Sequence, residues 1–375
     1  MDFLYNWYLW YYIFLAFMGV MYSQQLNKAL LSGNGSQIKS KDDYRVSVFF
    51  AILVFLPMVL IASTRDWNFA NTYGDTGSYI MNYQRAPSSV SDVFSNIDWD
   101  SRAPGFDLFV SFIKQFTGFD YTGFFAIVAI IHNLCLVFTY KRYCSNIVLC
   151  AFLFFASTDF MSWEMNGIRQ FLVVSIVFLA FPLLQNKKYI PFIIIVLILF
   201  TVHKSALIVI PLYFASLGKP FNKRTLTVLV LVLISVLFFG EFTNLMDDSL
   251  QGTVYSNMVS EFEGDNGTNI LRVLVYSVPA ILVIFNRRKI TDDTPDIIKI
   301  SVNMSLFTAG LYILSVPISG IYMGRLPIYC SLFNYILLPW ELDNFYGEEN
   351  RKTLKLLMVT LYFAFYIYQM IDWGI

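Results

Sequence analysis

The chain has 375 residues, of which 57% are hydrophobic and 14% charged, with zero formal net charge and a mean hydropathy of +0.58. Soluble domains lie nearer half apolar and about a quarter charged, so this composition excludes an ordinary soluble protein and indicates an all-α, polytopic membrane protein. The neutral balance gives no electrostatic footprint for nucleic acid.

Apolar runs recur near 3–22, 46–64, 121–140, 146–162, 167–185, 189–202, 205–217, 225–240, 270–286, 298–318, 326–340 and 356–373. The longer ones suit an α-helix crossing a hydrocarbon core of about 30 Å, so about twelve spans are expected in one polytopic domain over 1–375. The first run lacks a preceding basic stretch and a small-residue cleavage site, and is expected to be a retained span. After the second comes a large outer segment, 65–120, opening on "RDWNFANTYGDTGSYIMNYQ" with Arg65, Asp75, Tyr79 and Arg85. Gly-Asp-Thr at 74–76 reads either as a simple turn or N-cap before Tyr79 or as a functional loop, and pattern alone favours the turn. From Pro104 to Phe116, apolar Phe106, Leu108, Phe109, Phe112, Ile113 and Phe116 follow a helical period, as in an amphipathic helix lying in the outer interface. Cys135, Cys150 and Cys330 fall inside apolar runs and Cys144 beside Lys141 and Arg142, so four free thiols are expected.

"FMSWEMNGIRQFLVVSIVFL" at 160–179 places Glu164, Asn166, Arg169 and Gln170 between two apolar runs with almost no loop. Three- and four-residue spacing predicts Asn166, Arg169 and Gln170 on one helix face. The runs flanking His203 are short, about 20 Å each, so His203 and Lys204 are expected below the outer surface; a lone histidine there is either a hydrogen-bonded structural group or a catalyst. Residues 241–269 form an acidic outer loop, read as a solvated surface. Two histidines, no His-x-x-x-His or Cys-x-x-Cys pair and no Walker A loop argue against a metal, nucleotide or other cofactor.

Lys and Arg beside span ends mark the cytoplasm. Alternate loops collect 18 of the 26 basic residues, among them Lys141–Arg142, Lys187–Lys188, Arg287–Arg288 and Arg351–Lys352, which places both termini outside. Six of the seven tryptophans (Trp7, Trp10, Trp67, Trp99, Trp163 and Trp373) then fall on the outer side, several of them at interfacial-belt positions. The remaining cations, Arg65, Arg85, Arg102, Lys114, Arg169, Lys204, Arg272 and Arg325, lie outside and are mostly arginine, the side chain whose planar fork grips phosphate or carboxylate at two points. Arg169, Arg272 and Arg325 sit at the outer start of inward-running helices and Lys204 just before another. A cation at a helix start is locally unfavourable unless an anion completes the site. The competing reading has these residues snorkelling to lipid head groups or pairing with outer acidic residues.

The ordered set Arg65…Gly74-Asp75-Thr76…Tyr79, Glu164-x-Asn166-x-x-Arg169-Gln170, His203-Lys204-Ser205-Ala206 and Gly324-Arg325…Tyr329 resembles the EpsG-type branch of the Wzy polysaccharide polymerases. The resemblance implies a GT-C-like enzyme of the bacterial plasma (inner) membrane. Its substrate would be polyprenyl-pyrophosphate-linked oligosaccharide units, joined on the outer face into O-antigen, capsule or exopolysaccharide. Membrane lipid, and possible chain-length regulator and flippase proteins, are the implied partners. Arg65, Arg169, Lys204, Arg325 and Arg272 would hold the pyrophosphate. Tyr79, Asn166, Gln170, Arg102 and Tyr329 would bind sugar or orient other groups. Asp75 ranks first as general base, His203 second and Glu164 third. An O-antigen-type ligase or a non-enzymatic lipid-linked-sugar transporter are the alternatives.

The charge partition yields a direct test. Single cysteines introduced at 187 and 255 and treated with a membrane-impermeant reagent in intact cells should label only at 255. Labelling at 187 alone would overturn the topology.

Overall fold

The computed structural model describes residues 7–32, 48–65, 74–95, 103–238, 267–320 and 323–374. Nearly all of the acidic loop 241–269 lies outside the described residues, as does Arg102. Every regular element among the described residues is helical. The chain divides into two compact units, Met1–Val90 with Val110–Leu179 and Leu338–Ile375, and Ser91–Phe109 with Ala180–Leu337.

In the first unit, helix Val48–Ser63 packs along helix Tyr121–Tyr143, while Trp7–Ser32 packs against Ile147–Ala156 and Glu348–Asp372. These helices are apolar on most sides and bury aromatic rings between them. Tyr12 stacks on Phe155 at 4.5 Å, and Phe155 on Tyr366 at 4.8 Å. Offset ring pairs of this kind add directional attraction to the burial of apolar area.

In the second unit, helix Asp296–Ile318 is the hub on which Ile270–Asn286, Lys223–Leu237 and Val209–Ser216 pack. Among large apolar side chains such as Phe307, Leu311 and Tyr312, it also buries the small or polar Ser301, Asn303, Ser305, Thr308 and Ser315, which let backbones approach closely where hydrophobic force between helices is weak. Asn303 ties down a turn: Nδ2 donates to the Ser216 carbonyl at 2.8 Å and Oδ1 accepts from the Phe221 N–H at 2.9 Å.

Each apolar run coincides with a helix, but several runs are interrupted. Among the described residues, five helices have the length and composition to cross a membrane: Tyr121–Tyr143, Ile168–Gln185, Ile270–Lys289, Asp296–Pro317 and Glu348–Asp372. A sixth span results if the bent pair Ile147–Ala156 and Phe160–Asn166 counts as one. That pair is bent by 78°, so the 146–162 run is no straight helix. The cause is local: Thr158 takes φ +72, and beyond the bend the chain winds as a π-helix over Phe160–Asn166. The 326–340 run is likewise cut into a four-residue helix, Ile328–Ser331, and Asn334–Asn344.

Three expectations need correction. Cys144 and Cys150 are joined as a disulfide, leaving Cys135 and Cys330 as the free cysteines. The short connection from the end of Tyr121–Tyr143 into Ile147–Ala156 brings the two together. Trp163, read as one of six outer tryptophans of which several would sit at belt positions, is instead enclosed by protein, 5% exposed, with its Nε1 donating to Asp159 Oδ1 at 3.1 Å. Lys114, on the amphipathic helix Pro104–Thr117, is no surface cation either. It is buried, and its Nζ donates to the carbonyls of Tyr83, Gln84 and Ala86 at 3.0, 2.8 and 2.6 Å. Those carbonyls close helix Thr76–Arg85, whose C-terminal end carries partial negative charge and orphan acceptors. The rings of Phe112, Phe116 and Phe119 stay exposed nearby.

Lys114→Met keeps the stem and removes the donors from three carbonyls, of which only that of Tyr83 keeps a backbone partner among the described residues, the Ala86 N–H at 3.3 Å. It should destabilise the protein by about 1–3 kcal/mol, read as a lowered midpoint of thermal unfolding in detergent, whereas Lys141→Met should leave the midpoint unchanged. An unaltered midpoint for Lys114→Met would remove its capping role.

Candidate functional site

The site in the first unit is organised by the end of the π-helix. A helix terminating among apolar side chains leaves carbonyls with no water to bond. Here Arg65, two residues beyond helix Val48–Ser63, supplies the donors. Its Nη1 bonds the carbonyls of Glu164 at 3.3 Å and Met165 at 2.7 Å, and its guanidinium lies over the Phe125 ring at 4.1 Å. Arg65 is 3% exposed, and its Nε and Nη2 have no hydrogen-bond partner among the described residues. Two donor nitrogens of a buried cation are thus not used by the described residues. Tyr79 and Glu164 are its electrostatic neighbours.

Glu164 is fully buried. Asn133 Nδ2 donates to its Oε1, while Oε2 has no partner among the described residues. Asn133 was not singled out in the sequence, though a signal was present. The pair His132–Asn133 stands inside the apolar helix Tyr121–Tyr143, and polar groups at membrane depth are functional candidates. Both are buried, His132 meeting Phe171 edge-on at 4.9 Å.

Asn166 joins two of the sequence motifs. Its Oδ1 accepts the Asp75 N–H at 2.7 Å, so the last residue of the π-helix clamps the Gly-Asp-Thr turn. Gly74 is required twice over. Its φ of +69 lies in the left-handed region, and a Cβ there would come within 2.5 Å of Asn166 Oδ1. Asp75 occupies the N-cap position of helix Thr76–Arg85, yet its side chain makes no cap bond. The segment is therefore a turn, as pattern favoured, but the carboxylate is left exposed and unused by it.

The break also changes the reading of "EMNGIRQ". The π-helix ends at Asn166, Gly167 leaves helical geometry with ψ 44, and the next helix starts at Ile168. Asn166 therefore does not share a continuous helix face with Arg169 and Gln170. Arg169 lies half-buried in the first turn of Ile168–Gln185, with Gln170 buried beside it.

The second unit holds the other candidates. His203 is an extended residue between helix Tyr189–Val202 and the 3-10 turn Lys204–Ile208. Its Nδ1 meets Ser205 Oγ at 2.7 Å and accepts the Ser205 N–H at 3.4 Å. Ser205 Oγ in turn meets the Tyr329 hydroxyl at 2.8 Å, and Tyr213 donates to the Tyr329 carbonyl at 3.0 Å. Two predicted residues, His203 and Tyr329, are thus joined through Ser205, which carried no role in the sequence. Lys204 Nζ lies over the Phe200 ring at 4.5 Å.

Arg325 closes the 3-10 turn Met323–Arg325 instead of opening a long helix. Gly324 beside it allows a close approach: a Cβ would sit 2.8 Å from Thr268 Oγ1. Thr268 is held by Ser315 Oγ at 2.7 Å. Arg272 follows one turn later, half-buried in the first turn of Ile270–Asn286, 5.8 Å from the Tyr276 ring. Arg325 and Arg272 thus flank one glycine-threonine junction within the second unit.

Asn166→Leu should free the Asp75 amide to exchange with solvent, while Asn166→Asp, which keeps an acceptor oxygen, should leave it protected. Hydrogen exchange read by mass spectrometry over 74–85 compares them, and equal exchange in both variants would show that the clamp does not hold the turn.

Among the comparisons with known proteins, a model of the EpsG family matches residues 48–374. No curated protein and no solved structure matches the chain.

Proposed function

The chain belongs to the EpsG family, and from that premise we propose that it is a membrane polysaccharide polymerase. It joins polyprenyl-pyrophosphate-linked oligosaccharide units on the outer face of the plasma membrane, in a GT-C-like scaffold of about twelve spans. The amphipathic helix Pro104–Thr117 lies in the outer interface, with Phe112, Phe116 and Phe119 toward lipid. The observation that carries the reading is the clamp between Asn166 and the Gly74–Asp75 turn, which holds an otherwise unengaged carboxylate in the same unit as a buried arginine with two donor nitrogens not used by the described residues.

The reaction is a glycosyl transfer without metal or nucleotide. Asp75 accepts the proton of the acceptor hydroxyl, whose oxygen forms a bond to the anomeric carbon of the donor sugar. The bond from that carbon to the pyrophosphate oxygen breaks, and its electron pair leaves with the lipid pyrophosphate. Arg65 and Arg169 stabilise that charge, as preorganised cations do best where water is scarce. Glu164, buried and bonded to Asn133, is better placed to orient its surroundings than to meet a hydroxyl. Lys204, Arg272 and Arg325 are further pyrophosphate contacts in this reading, and Tyr79, Gln170 and Arg102 contacts to sugar.

A deletion strain separates this function from its neighbours. Single repeats capped on their acceptor mean a lost polymerase, unattached full-length polymer a lost ligase, and undelivered cytoplasmic units a lost transporter.

In the polymerase assay, Asp75→Asn should lower chain growth by about 10²- to 10⁴-fold at matched protein level. Normal polymer from Asp75→Asn would remove Asp75 as the base. Arg169→Lys and Arg325→Lys keep charge but lose the two-point fork, and should cost about 1–3 kcal/mol of transition-state binding. The basic-loop changes Arg142→Lys and Arg288→Lys should cost nothing. Wild-type polymer length from both outer variants would make these arginines interfacial anchors.

A further inference from the structure

His203 sits where the chain leaves helix Tyr189–Val202 and enters the 3-10 turn Lys204–Ile208, and its side chain caps that turn. A capping side chain must offer a lone pair, because what it meets is a backbone N–H. Here the backbone N–H of Ser205 points at Nδ1 at 3.4 Å, and the Ser205 hydroxyl reaches the same nitrogen at 2.7 Å. A neutral imidazole has one N–H and one lone pair. With the lone pair at Nδ1, every group is satisfied in one direction: Tyr329 O–H donates to Ser205 Oγ, Ser205 O–H donates to Nδ1, and Ser205 N–H donates to Nδ1. With the proton at Nδ1, the Ser205 N–H would face another N–H and lose its acceptor. Leaving that donor without its acceptor is unfavourable. The hydrogen-bond direction therefore selects one tautomer.

We infer that Ser205 and Tyr329 are positioning residues that hold neutral His203 as the Nε2–H tautomer, so that His203 acts through Nε2 as a hydrogen-bond donor and not as a proton acceptor. Whatever His203 meets through Nε2 must then bear an acceptor, and in the polymerase reading the chemistry that fits is an anionic oxygen of the phosphate class. No proton changes hands in this role; the N–H bond polarises toward the oxygen and remains intact. The tautomer itself is independent of the polymerase reading, whereas its bearing on the reaction rests on it. It would remove His203 from competition with Asp75 for the acceptor proton.

The chain contains only two histidines, His132 and His203, so the tautomer is directly readable. Protein labelled with nitrogen-15 histidine, in lipid nanodiscs at a pH where the imidazole signals no longer move, gives two ring patterns, assigned by His203→Gln and His132→Gln. The expected result is a proton on Nε2 of His203. In Ser205→Ala the Nδ1–H form should become detectable, and Ser205→Thr, which keeps the hydroxyl, should restore the native pattern. A native His203 protonated at Nδ1, or a pattern indifferent to Ser205→Ala, overturns the inference without touching the polymerase assignment.

Chain growth supplies the second arm. Glutamine places an amide N–H near the position of Nε2 but is no base, so His203→Gln should stay within roughly tenfold of wild type, with His203→Ala lower still. Ser205→Ala should fall roughly two- to tenfold. If His203→Gln is as inactive as His203→Ala while Ser205→Ala is unaffected, His203 is a base and the donor role is wrong. If the wild-type protein forms no polymer from lipid-linked units, the polymerase reading fails, and the ring-nitrogen spectra still decide the tautomer.

Discussion

Two hydrogen bonds from Arg65 to the carbonyls of Glu164 and Met165 are the contacts on which the first unit's site depends. A polypeptide that stops being helical among apolar side chains strands backbone acceptors that neither lipid nor water can serve. A guanidinium meets this need better than an ammonium, since one nitrogen can serve two carbonyls while the plane packs on an aromatic face. With the carbonyls satisfied and Phe125 beneath the charge, the π-helix can end at Asn166 and the chain can restart as Ile168–Gln185.

Everything local to the candidate base follows from that ending. Asn166 is free to turn its side chain away from a helical face and take the Asp75 amide. The approach is close enough that residue 74 must lack a side chain, which links Gly74 to Asn166 across more than ninety residues of chain. Asp75 gains a fixed backbone without surrendering its carboxylate to capping. A structural constraint and a chemical opportunity thus come from the same clamp.

The second unit meets the complementary problem, a backbone N–H at the start of a 3-10 turn. Its break at His203 is capped by an imidazole instead of a guanidinium, and the cap is itself aligned by Ser205 and Tyr329. Lys114 repeats the Arg65 arrangement, with one ammonium serving three carbonyls at the end of Thr76–Arg85. Cations that an outside-facing charge count assigns to ligand binding therefore divide into two kinds. Lys114 is engaged by backbone, whereas Arg65 hydrogen-bonds through Nη1 and its Nε and Nη2 have no partner among the described residues.

Composition and hydropathy alone determined that this is a helical, multi-pass membrane protein, because a mean hydropathy of +0.58 cannot be reconciled with a soluble surface. The order of Arg65, Gly74-Asp75-Thr76, Glu164-x-Asn166 and His203-Lys204-Ser205-Ala206 was also sufficient to reach the family, since polar residues among apolar runs are conspicuous. Periodicity could not show that the 146–162 run bends or that Gly167 ends a π-helix, because a π-helix carries no hydrophobic signature of its own. For that reason the expected shared face of Asn166, Arg169 and Gln170 was wrong; the fourfold free-thiol reading separately missed the Cys144–Cys150 disulfide, which depends on how the short connection between two helices turns. Only the tertiary structure could place Asn133 on Glu164, Asn166 on Asp75 and Ser205 between His203 and Tyr329. Each is a hydrogen bond of about 3 Å reach between groups far apart in sequence or set by local backbone geometry, and no spacing along a chain encodes such a meeting.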